Sequence, residues 1–211
     1  MPLDLLFFVQ RYPRLGTKID GEGLTIQGGG PVPNVLVGLS RLGCRTALIT
    51  ALSDDLIGQL GRQELTQAGV DDRFVVRKRG RSDTAVGLIE QQGGKRTMVL
   101  NREIHVAARD ITPNRYPHPR IIHLDGRDMA ATLKLARWCR TMGATVTFDI
   151  GSIRNDVSAV FPLVDHLVVA DSYALPFTGS RSIKAALTKL RRYCPGTVVI
   201  TAGTRGATGI E

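Results

Sequence analysis

Two glycine-rich turns contain the residues of this chain that are best suited to binding chemistry. The first turn spans residues 28–34 (GGGPVPN) and opens a predicted helix. Three consecutive residues without side chains let backbone N–H groups approach a polar ligand closely, and the Asn34 amide can both donate and accept hydrogen bonds. This combination suits a ligand rich in hydroxyl groups.

The second turn spans residues 201–207 (TAGTRGA), near the other end of the chain. It follows the apolar run at 197–200, which predicts a buried strand. Gly203 and Gly206 therefore fall at the carboxyl end of that strand, where open α/β sheets bind ligands. A glycine turn in this position suits a nucleotide.

These turns must be positioned by a regular scaffold, and the sequence predicts an α/β fold. Short β-rich runs alternate with segments of helical period, which is typical of parallel strands joined by crossover helices. Gly43 and Gly69 are predicted to end two of the helices, and Ser180 to cap the last one. The predicted core strands are 5–9, 46–50, 120–124, 144–149, 166–169 and 197–201, and the predicted helices are 33–42, 55–68, 129–142 and 181–193.

A second sequence pattern predicts a small antiparallel sheet separate from the core sheet, with lid strands within about 17–27 and 84–100. Alternating sequences in these segments are separated by glycine turns instead of helices. The turn at 91–95 (QQGGK) predicts a hairpin between strands at 84–90 and 96–100. We interpret these strands as a β lid over a ligand cleft.

Length and composition predict one globular domain over residues 1–211. Hydrophobic residues make up 43% of the 211 positions, enough for a sizeable core. The net charge of +9 suits phosphate groups on either a nucleotide or a nucleic acid. Aromatic residues make up only 5% and do not interleave with the basic cluster at 73–81. We therefore expect no nucleic-acid partner, and binding of nucleic acid by the basic cluster is the weakest alternative.

Cysteine usage and the N-terminus favour a cytoplasmic location. Cys44, Cys139 and Cys194 are far apart and form no C-x-x-C pattern, which disfavours a disulfide framework or a zinc site. The N-terminus has no basic segment, and no apolar run approaches the roughly 18 residues of a membrane span. The absence of such a span means that we expect no membrane contact. The four histidines show no metal-ligand spacing, so we expect no metal-binding cluster.

Several motifs occur in one particular order along the chain: Gly29-Gly30 followed by Asn34, then SRLG at 40–43, DDLIG at 54–58, GVD at 69–71 and DTA at 83–85. In this order the chain resembles the ribokinase-like (PfkB) carbohydrate kinases over nearly its whole length. The later segments KRTMVL at 95–100 and IHLDGR at 122–127 are most similar to the ketohexokinase and sulfofructose kinase branch.

The resemblance implies a three-layer α/β/α Rossmann-like sheet with a small β-sheet lid. It also implies transfer of the ATP γ-phosphoryl group to a sugar hydroxyl, with the sugar between core sheet and lid, Mg²⁺ accompanying ATP, and a homodimer formed through the lid. By resemblance, the sugar contacts are Asp4, Gly29, Gly30, Asn34 and Arg96, and the nucleotide contacts are Arg127, Thr201, Gly203 and Gly206.

The residues alone leave other interpretations open for four of these positions. Asp4 is then a frayed N-terminal acid, and Asn34 is a helix cap. Arg96 and Arg127 are then exposed loop arginines. The bare G-x-x-G pattern at 203–206 is also common after strands.

The chain departs from the family pattern at several positions. Val32 and Leu36 replace small residues, and Ser53 replaces a glycine before Asp54-Asp55. The N-x-x-E motif that many relatives use around magnesium and phosphate falls at 170–173 and reads Ala-Asp-Ser-Tyr. Metal placement by this motif is therefore in doubt, although Asp171 could partly substitute.

The family's D-T-x-G-A-G-D segment, which supplies the anion hole and the catalytic base, is expected beyond Glu211. On this interpretation the chain is incomplete, its catalytic residues are unknown, and the chain alone is inactive. The alternative is a non-catalytic remnant of the kinase fold that binds sugar or forms dimers. Both interpretations share one pocket, and they differ in whether that segment follows.

Overall fold

The computed structural model describes residues 1–151 and 156–211. The chain forms two compact units, Met1–Val106 and Ala107–Glu211. The single domain expected over residues 1–211 stays a prediction. No helix among the described residues is long and apolar enough to cross a membrane.

The first unit contains a four-stranded sheet, a two-stranded sheet and two helices. The four-stranded sheet has the order β2-β1-β5-β6, and β3 pairs with β4. The strands are β1 (Leu3–Val9), β2 (Gly23–Gly28), β3 (Ala51–Ser53), β4 (Val76–Lys78), β5 (Thr84–Glu90) and β6 (Arg96–Asn101), and the helices are α1 (Pro31–Arg41) and α2 (Leu56–Gln67).

The four-stranded sheet contains all the predicted lid strands. β5 and β6 form the expected antiparallel hairpin. Its turn is closed by the Glu90 N–H, which donates to the Lys95 carbonyl at 2.9 Å. The strand predicted at 5–9 is present as β1, but it lies in this sheet and not among the parallel core strands, since it pairs antiparallel with β2 and parallel with β5. A short apolar run has the same period in either sheet, so the sequence alone could not assign it.

The strand predicted at 46–50 is replaced by isolated bonds and a shorter strand. Leu48 donates its N–H to the Asp71 carbonyl at 3.0 Å, and Asp71 donates to the Thr46 carbonyl at 2.9 Å. A regular ladder begins only at β3, which runs parallel to β4. Leu48 is 1% exposed, so the segment supplies core residues without forming a full strand.

Both helices of this unit pack on one apolar cluster. Val32 and Leu36 of α1 pack against it, which explains why larger residues stand at these two positions of the family pattern. Ser53 is also accommodated, because its hydroxyl donates to the Gly80 carbonyl at 2.7 Å. Gly43 and Gly69 follow the two helices with φ of 84° and 73°, as expected for helix ends.

The second unit contains one five-stranded sheet of order β11-β10-β9-β8-β7. β7 to β10 are parallel and β11 is antiparallel to β10. The elements are β7 (Ile121–Leu124), α3 (Met129–Thr141), β8 (Thr145–Ile150), β9 (His166–Ala170), α4 (Asp171–Thr178), α5 (Ile183–Leu190), β10 (Thr197–Thr201) and β11 (Ala207–Ile210). The four predicted strands are confirmed, but α4 was not predicted.

The last predicted helix begins later than expected. α5 starts at Ile183, and the Ser182 hydroxyl accepts a hydrogen bond from the Ala185 N–H at 3.3 Å. Ser182 is therefore the cap, and the prediction of Ser180 is wrong. Residues 171–178 instead form α4, which follows β9 without a loop.

The two faces of the parallel strands differ in chemistry. One face is apolar, and Val146, Leu167, Val169, Val198 and Ile200 are all 0% exposed. The other face carries His123, Thr147 and Asp149 at half-buried positions. Because the strands run parallel, the turns after β7, β8, β9 and β10 share one edge of the sheet, where this fold class binds ligands.

Candidate active site

The Asp4 carboxylate lies directly against the backbone of Gly29. Asp4 is on β1, and the antiparallel register places it opposite Gln27, just before the glycine turn. A Cβ atom on Gly29 would overlap the Asp4 carboxylate. The Gly29 N–H donates to the Pro2 carbonyl at 2.9 Å, which fixes the turn at this point. Glycine at 29 is therefore required for the carboxylate to occupy its position.

Asp4 is a half-buried acid with an unused carboxylate. Its side chain accepts no hydrogen bond from any residue in 1–151 or 156–211. Burial raises the pKa of Asp4, the nearby Arg96 charge lowers it, and the Glu64 charge raises it. Both oxygens can accept hydrogen bonds, which is what recognition of two adjacent hydroxyl groups needs. The interpretation of Asp4 as a frayed N-terminal acid is wrong, since it lies inside β1.

The glycine turn also begins helix α1. Gly30 is its N-cap residue with φ of 100°, a conformation that favours glycine. Asn34 is exposed and lies one turn into the helix, and its N–H donates to the Gly30 carbonyl at 3.2 Å. The alternative interpretation of Asn34 as the cap is therefore wrong. In the described part of the chain its amide has no hydrogen-bond partner.

Arg96 is an exposed residue that shares a sheet face with Asp4. The register places Arg96 opposite Ile89, and Ile89 opposite Phe8, which lies on the same face of β1 as Asp4. The Arg96 charge lowers the pKa of the Asp4 carboxyl. The structure thus brings Asp4 against Gly29, with Gly30 next in the turn; it shows Asn34 four residues further along α1 and Arg96 on the same sheet face as Asp4, and the use of these residues for sugar binding stays a prediction.

The second glycine turn joins β10 to β11 in the second unit. Gly203 and Gly206 have φ of 57° and 84°, and a Cβ on either would meet nothing within 4 Å. The N–H groups of Ala202, Arg205 and Gly206 bond within the turn. Those of Gly203 and Thr204 have no acceptor in the described residues. The turn therefore has open space beside its glycines and two N–H donors without an acceptor, which suits a phosphate group.

Thr201 and Arg127 lie at the same sheet edge as this turn. Thr201 is the last residue of β10, and its hydroxyl lies 3.5 Å from the Val169 carbonyl. The Arg127 N–H donates to the Asp125 carboxylate at 3.1 Å in the turn after β7. Gly126 has φ of 67°, and a Cβ there would lie 2.6 Å from the Phe148 ring. Arg127 is half-buried, so the alternative of an exposed loop arginine is wrong.

Arg205 forms an ion pair that the sequence analysis did not predict. Its guanidinium lies 2.5 Å from the Asp171 carboxylate at the start of α4. The pair links the turn after β10 to the helix after β9. An acid in the first turn of a helix is a usable signal, but its partner lies 34 residues away and leaves no local pattern.

A histidine and two carboxylates form a second group that the analysis missed. His123 Nδ1 lies 2.8 Å from the Thr147 hydroxyl, which itself lies 3.2 Å from the Ile122 carbonyl. Burial lowers the pKa of His123, although the Asp149 and Asp125 charges raise it. Burial also raises the pKa of Asp149.

The described residues contain no group of three or more His, Cys, Asp or Glu side chains that could hold a metal ion. Where many relatives have the glutamate of N-x-x-E, Tyr173 is 3% exposed. Its hydroxyl has no hydrogen-bond partner among residues 1–151 and 156–211. Burial raises the pKa of Tyr173 to about 12, so the phenol stays protonated. The donor set therefore does not fit direct magnesium binding at this motif.

Comparison with known protein families shows which family the chain belongs to. The pfkB family carbohydrate kinase model matches residues 3–211. The chain belongs to the pfkB family of carbohydrate kinases. The family predicted from the ordered motifs is confirmed, while the ketohexokinase and sulfofructose kinase branch stays a prediction.

Two curated family members illustrate the range of similarity. An ATP-dependent ribose-1-phosphate kinase of Halopiger xanaduensis is 27% identical over 155 residues, covering 72% of this chain and 52% of that protein. A fructokinase of Klebsiella pneumoniae is 25% identical over 209 residues, covering 89% of this chain and 67% of that protein. The match thus spans about half to two thirds of the length of these relatives.

Solved structures of family members share the fold. A ribokinase from Giardia lamblia matches with a TM-score of 0.82 at 18% identity, covering 100% of this chain and 70% of that one. The Arabidopsis thaliana ribokinase complexed with ribose and ATP matches with a TM-score of 0.72 at 19% identity, covering 99% of this chain and 72% of that one. The predicted ribokinase-like α/β fold is confirmed.

Proposed function

We propose that this chain carries the sugar-binding and ATP-binding sites of a cytoplasmic carbohydrate kinase that transfers the γ-phosphoryl group of ATP to a sugar hydroxyl. Family membership supports the reaction class. The single observation that carries the sugar site is the half-buried Asp4 carboxylate, held against Gly29 and left without a donor in the described part of the chain. A carboxylate in such a position is costly unless a ligand supplies the missing donors.

The sugar would bind on the first unit. Asp4 would accept hydrogen bonds from two hydroxyl groups, and the Asn34 amide would supply a donor and an acceptor from the first turn of α1. The Gly29 and Gly30 backbone would approach the sugar closely because no side chain intervenes. Arg96 would contact the sugar or its substituent. A sugar that lacks the matching hydroxyl would leave Asp4 unpaired and would be rejected strongly.

The nucleotide would bind on the second unit. The free N–H groups of Gly203 and Thr204 would hold phosphate oxygens, and Arg127 would neutralise charge. Thr201 and Gly206 would complete the turn's contact with the nucleotide. ATP supplies the phosphoryl group when bound, and its Mg²⁺ would be carried mainly by the phosphates, as is usual for this ion. No residue of the chain is proposed as the catalytic base.

A homodimer through the four-stranded sheet is part of the proposal. One face of this sheet exposes Leu24 by 50%, Ile26 by 49%, Val86 by 41% and Val99 by 69%. A contiguous apolar patch of this kind marks an association surface. Val99→Lys should shift the mass measured by light scattering from dimer to monomer, whereas Lys184→Ala, at an exposed position of α5, should not. A monomeric wild-type protein would contradict the dimer.

Calorimetric titration with ketoses, pentoses and nucleosides, with and without Mg-ATP, tests the sugar and nucleotide sites. We expect one sugar class to bind, with binding abolished by Asp4→Ala and by Asn34→Ala. Asp20→Ala, which changes an exposed acid of the same unit, should bind sugar like the wild type. A folded protein that binds no sugar, or an Asp4→Ala variant that binds normally, would contradict the proposal.

The non-catalytic alternative differs from the kinase in whether the D-T-x-G-A-G-D segment follows residue 211. A protein that carries that segment should release ADP when both sugar and Mg-ATP are present, whereas the chain alone should release none on either interpretation. The exposed apolar sheet face supports the dimer-forming form of this alternative. A reading frame that ends at Glu211, or a protein with the D-T-x-G-A-G-D segment that binds sugar and ATP without sugar-dependent ADP release, favours the remnant.

A further inference from the structure

Glu64 is a second acid at the sugar-binding turn, and none of the family motifs described above includes it. It lies on α2, half-buried, and its carboxylate accepts a hydrogen bond from the Gly28 N–H. Gly28 is the last residue of β2, immediately before the turn residues Gly29 and Gly30. A Cβ on Gly28 would lie 2.7 Å from Glu64 Oε2, so the carboxylate packs against the backbone there.

The charge of Glu64 is not balanced by a cation. Among the described residues it forms no ion pair. Its charge also raises the pKa of Asp4, which opposes the effect of Arg96. The charged groups that act on Asp4 are therefore Arg96 on β6 and Glu64 on α2, in addition to burial. Two acids without a paired cation thus converge on one glycine turn.

A purely structural role does not require this arrangement. A glutamine at 64 would accept the same hydrogen bond through its amide oxygen without placing a second negative charge beside Asp4. Half-burying a charge without an opposite charge beside it is costly, so we expect the acid to serve the site and not only the fold. A carboxylate made more basic by a neighbouring acid is a stronger acceptor for hydroxyl groups, and two acids repel an anionic ligand.

We propose that Glu64 is a positioning residue of the sugar site, which holds the 28–30 turn against Asp4 and selects a neutral hydroxyl-bearing end of the sugar over an anionic one. The proposal rests on the sugar-binding function proposed above. Removing the Glu64 carboxylate loosens the 28–30 turn. Replacing it with a neutral amide keeps the turn in place but weakens the preference for a neutral sugar over an anionic one. These two effects separate in the variants Glu64→Ala and Glu64→Gln.

NMR of the full chain without sugar tests the positioning role directly. In Glu64→Ala the exchange rate of the Gly28 amide should rise at least about tenfold, as expected for loss of a hydrogen bond to a charged group. In Glu64→Gln this amide should stay protected. In both variants the Asp4 carboxyl should titrate at lower pH than in the wild type. Gln63→Ala, an exposed change in the same helix, should alter neither quantity.

An unchanged Asp4 titration in Glu64→Gln overturns the proposal, and so does an unchanged Gly28 exchange rate in a folded Glu64→Ala protein. If Glu64→Ala does not fold, the Asp4 titration and the Gly28 amide shift in Glu64→Gln decide. These measurements need no ligand, so they stand even if the proposed function fails.

Sugar titration tests the selectivity. The ratio of affinities for a neutral sugar and for its 6-phosphate or its acid should fall about threefold to tenfold in Glu64→Gln, because one repulsive charge is lost. An unchanged ratio overturns the selective role. If the wild type binds no sugar of either kind, the proposed function fails and the selective role fails with it. The positioning role then depends on the NMR result alone.

Discussion

The Arg205 guanidinium lies 2.5 Å from the Asp171 carboxylate and so joins the glycine turn after β10 to the first turn of α4. Both partners lie at the edge of the parallel sheet where the nucleotide is proposed to bind. Asp171 is the one acid in residues 170–173, where many relatives have the N-x-x-E motif. In this chain it pairs with Arg205. The pair therefore links the turn to α4, and we expect it to help hold the turn in place.

Arg205→Ala should weaken nucleotide binding with little effect on stability. The turn would lose its link to α4, and we expect the Kd for ATP to rise about fivefold. The Arg205 side chain is 68% exposed, so the free energy of unfolding should change by less than about 1 kcal/mol. Titration with a fluorescent ATP analogue and thermal melts measure both, with Lys184→Ala as the control. A normal Kd for Arg205→Ala would show that the pair has no part in positioning the turn.

Gly29→Ala should abolish sugar binding. Its Cβ would occupy the space of the Asp4 carboxylate and displace it. We expect the sugar affinity to fall at least about a hundredfold, since a displaced acceptor leaves two hydroxyl groups unpaired. Calorimetry on Gly29→Ala and on Gly38→Ala, a change in open space on α1, gives the comparison. Wild-type affinity in Gly29→Ala would mean that the sugar does not use Asp4.

Gly58→Ala should destabilise the first unit strongly. A Cβ at 58 would overlap the Ser53 carbonyl and lie 2.7 Å from the Ser82 hydroxyl. The Gly58 N–H also donates to the Asp55 carboxylate at 2.8 Å, which caps α2. We expect a loss of at least about 3 kcal/mol in the free energy of unfolding, measured by urea denaturation.

Gly38→Ala should instead raise the free energy of unfolding. It lies inside α1 with nothing within 4 Å of its added Cβ. Its unfolding free energy should rise by about 0.5–1 kcal/mol, because alanine restricts the unfolded chain and favours the helix. Equal stabilities for the two variants would contradict the steric explanation for Gly58.

His123 should make stability depend on pH on the acid side of neutrality. Burial lowers the pKa of His123 below the unfolded value of 6.5, so the unfolded chain takes up a proton more readily than the folded one. The contribution of neutral His123 is therefore fully present above pH 6.5 and is lost as pH falls through the folded pKa. Urea denaturation between pH 7 and pH 5 should show this loss in the wild type.

The variant His123→Gln should lose that part of the pH dependence. His118→Gln, a change in an exposed histidine, should keep the wild-type profile. If the unfolding free energies of wild type and His123→Gln vary identically with pH, His123 is protonated equally in both states.

The sequence predicted the elements with long periodic patterns and the residues of the two glycine turns. Asp4 and Gly29 were expected together only through the family resemblance, and the structure shows them in contact. Glu64 was not expected, because its contact with Gly28 crosses 36 residues and depends on where α2 packs. Helix α4 was missed because it is short, contains Pro176 and follows β9 without a loop.

The buried Tyr173 hydroxyl has a consequence for which residue relatives should carry at this position. Its phenol is buried, and in the described part of the chain the hydroxyl has no partner, which costs about 1–3 kcal/mol. Phenylalanine would fill the same space without that cost. A lineage selected for thermostability alone should therefore drift to phenylalanine here. Persistent tyrosine across diverged lineages would instead mark a hydroxyl preserved by selection for something other than folding.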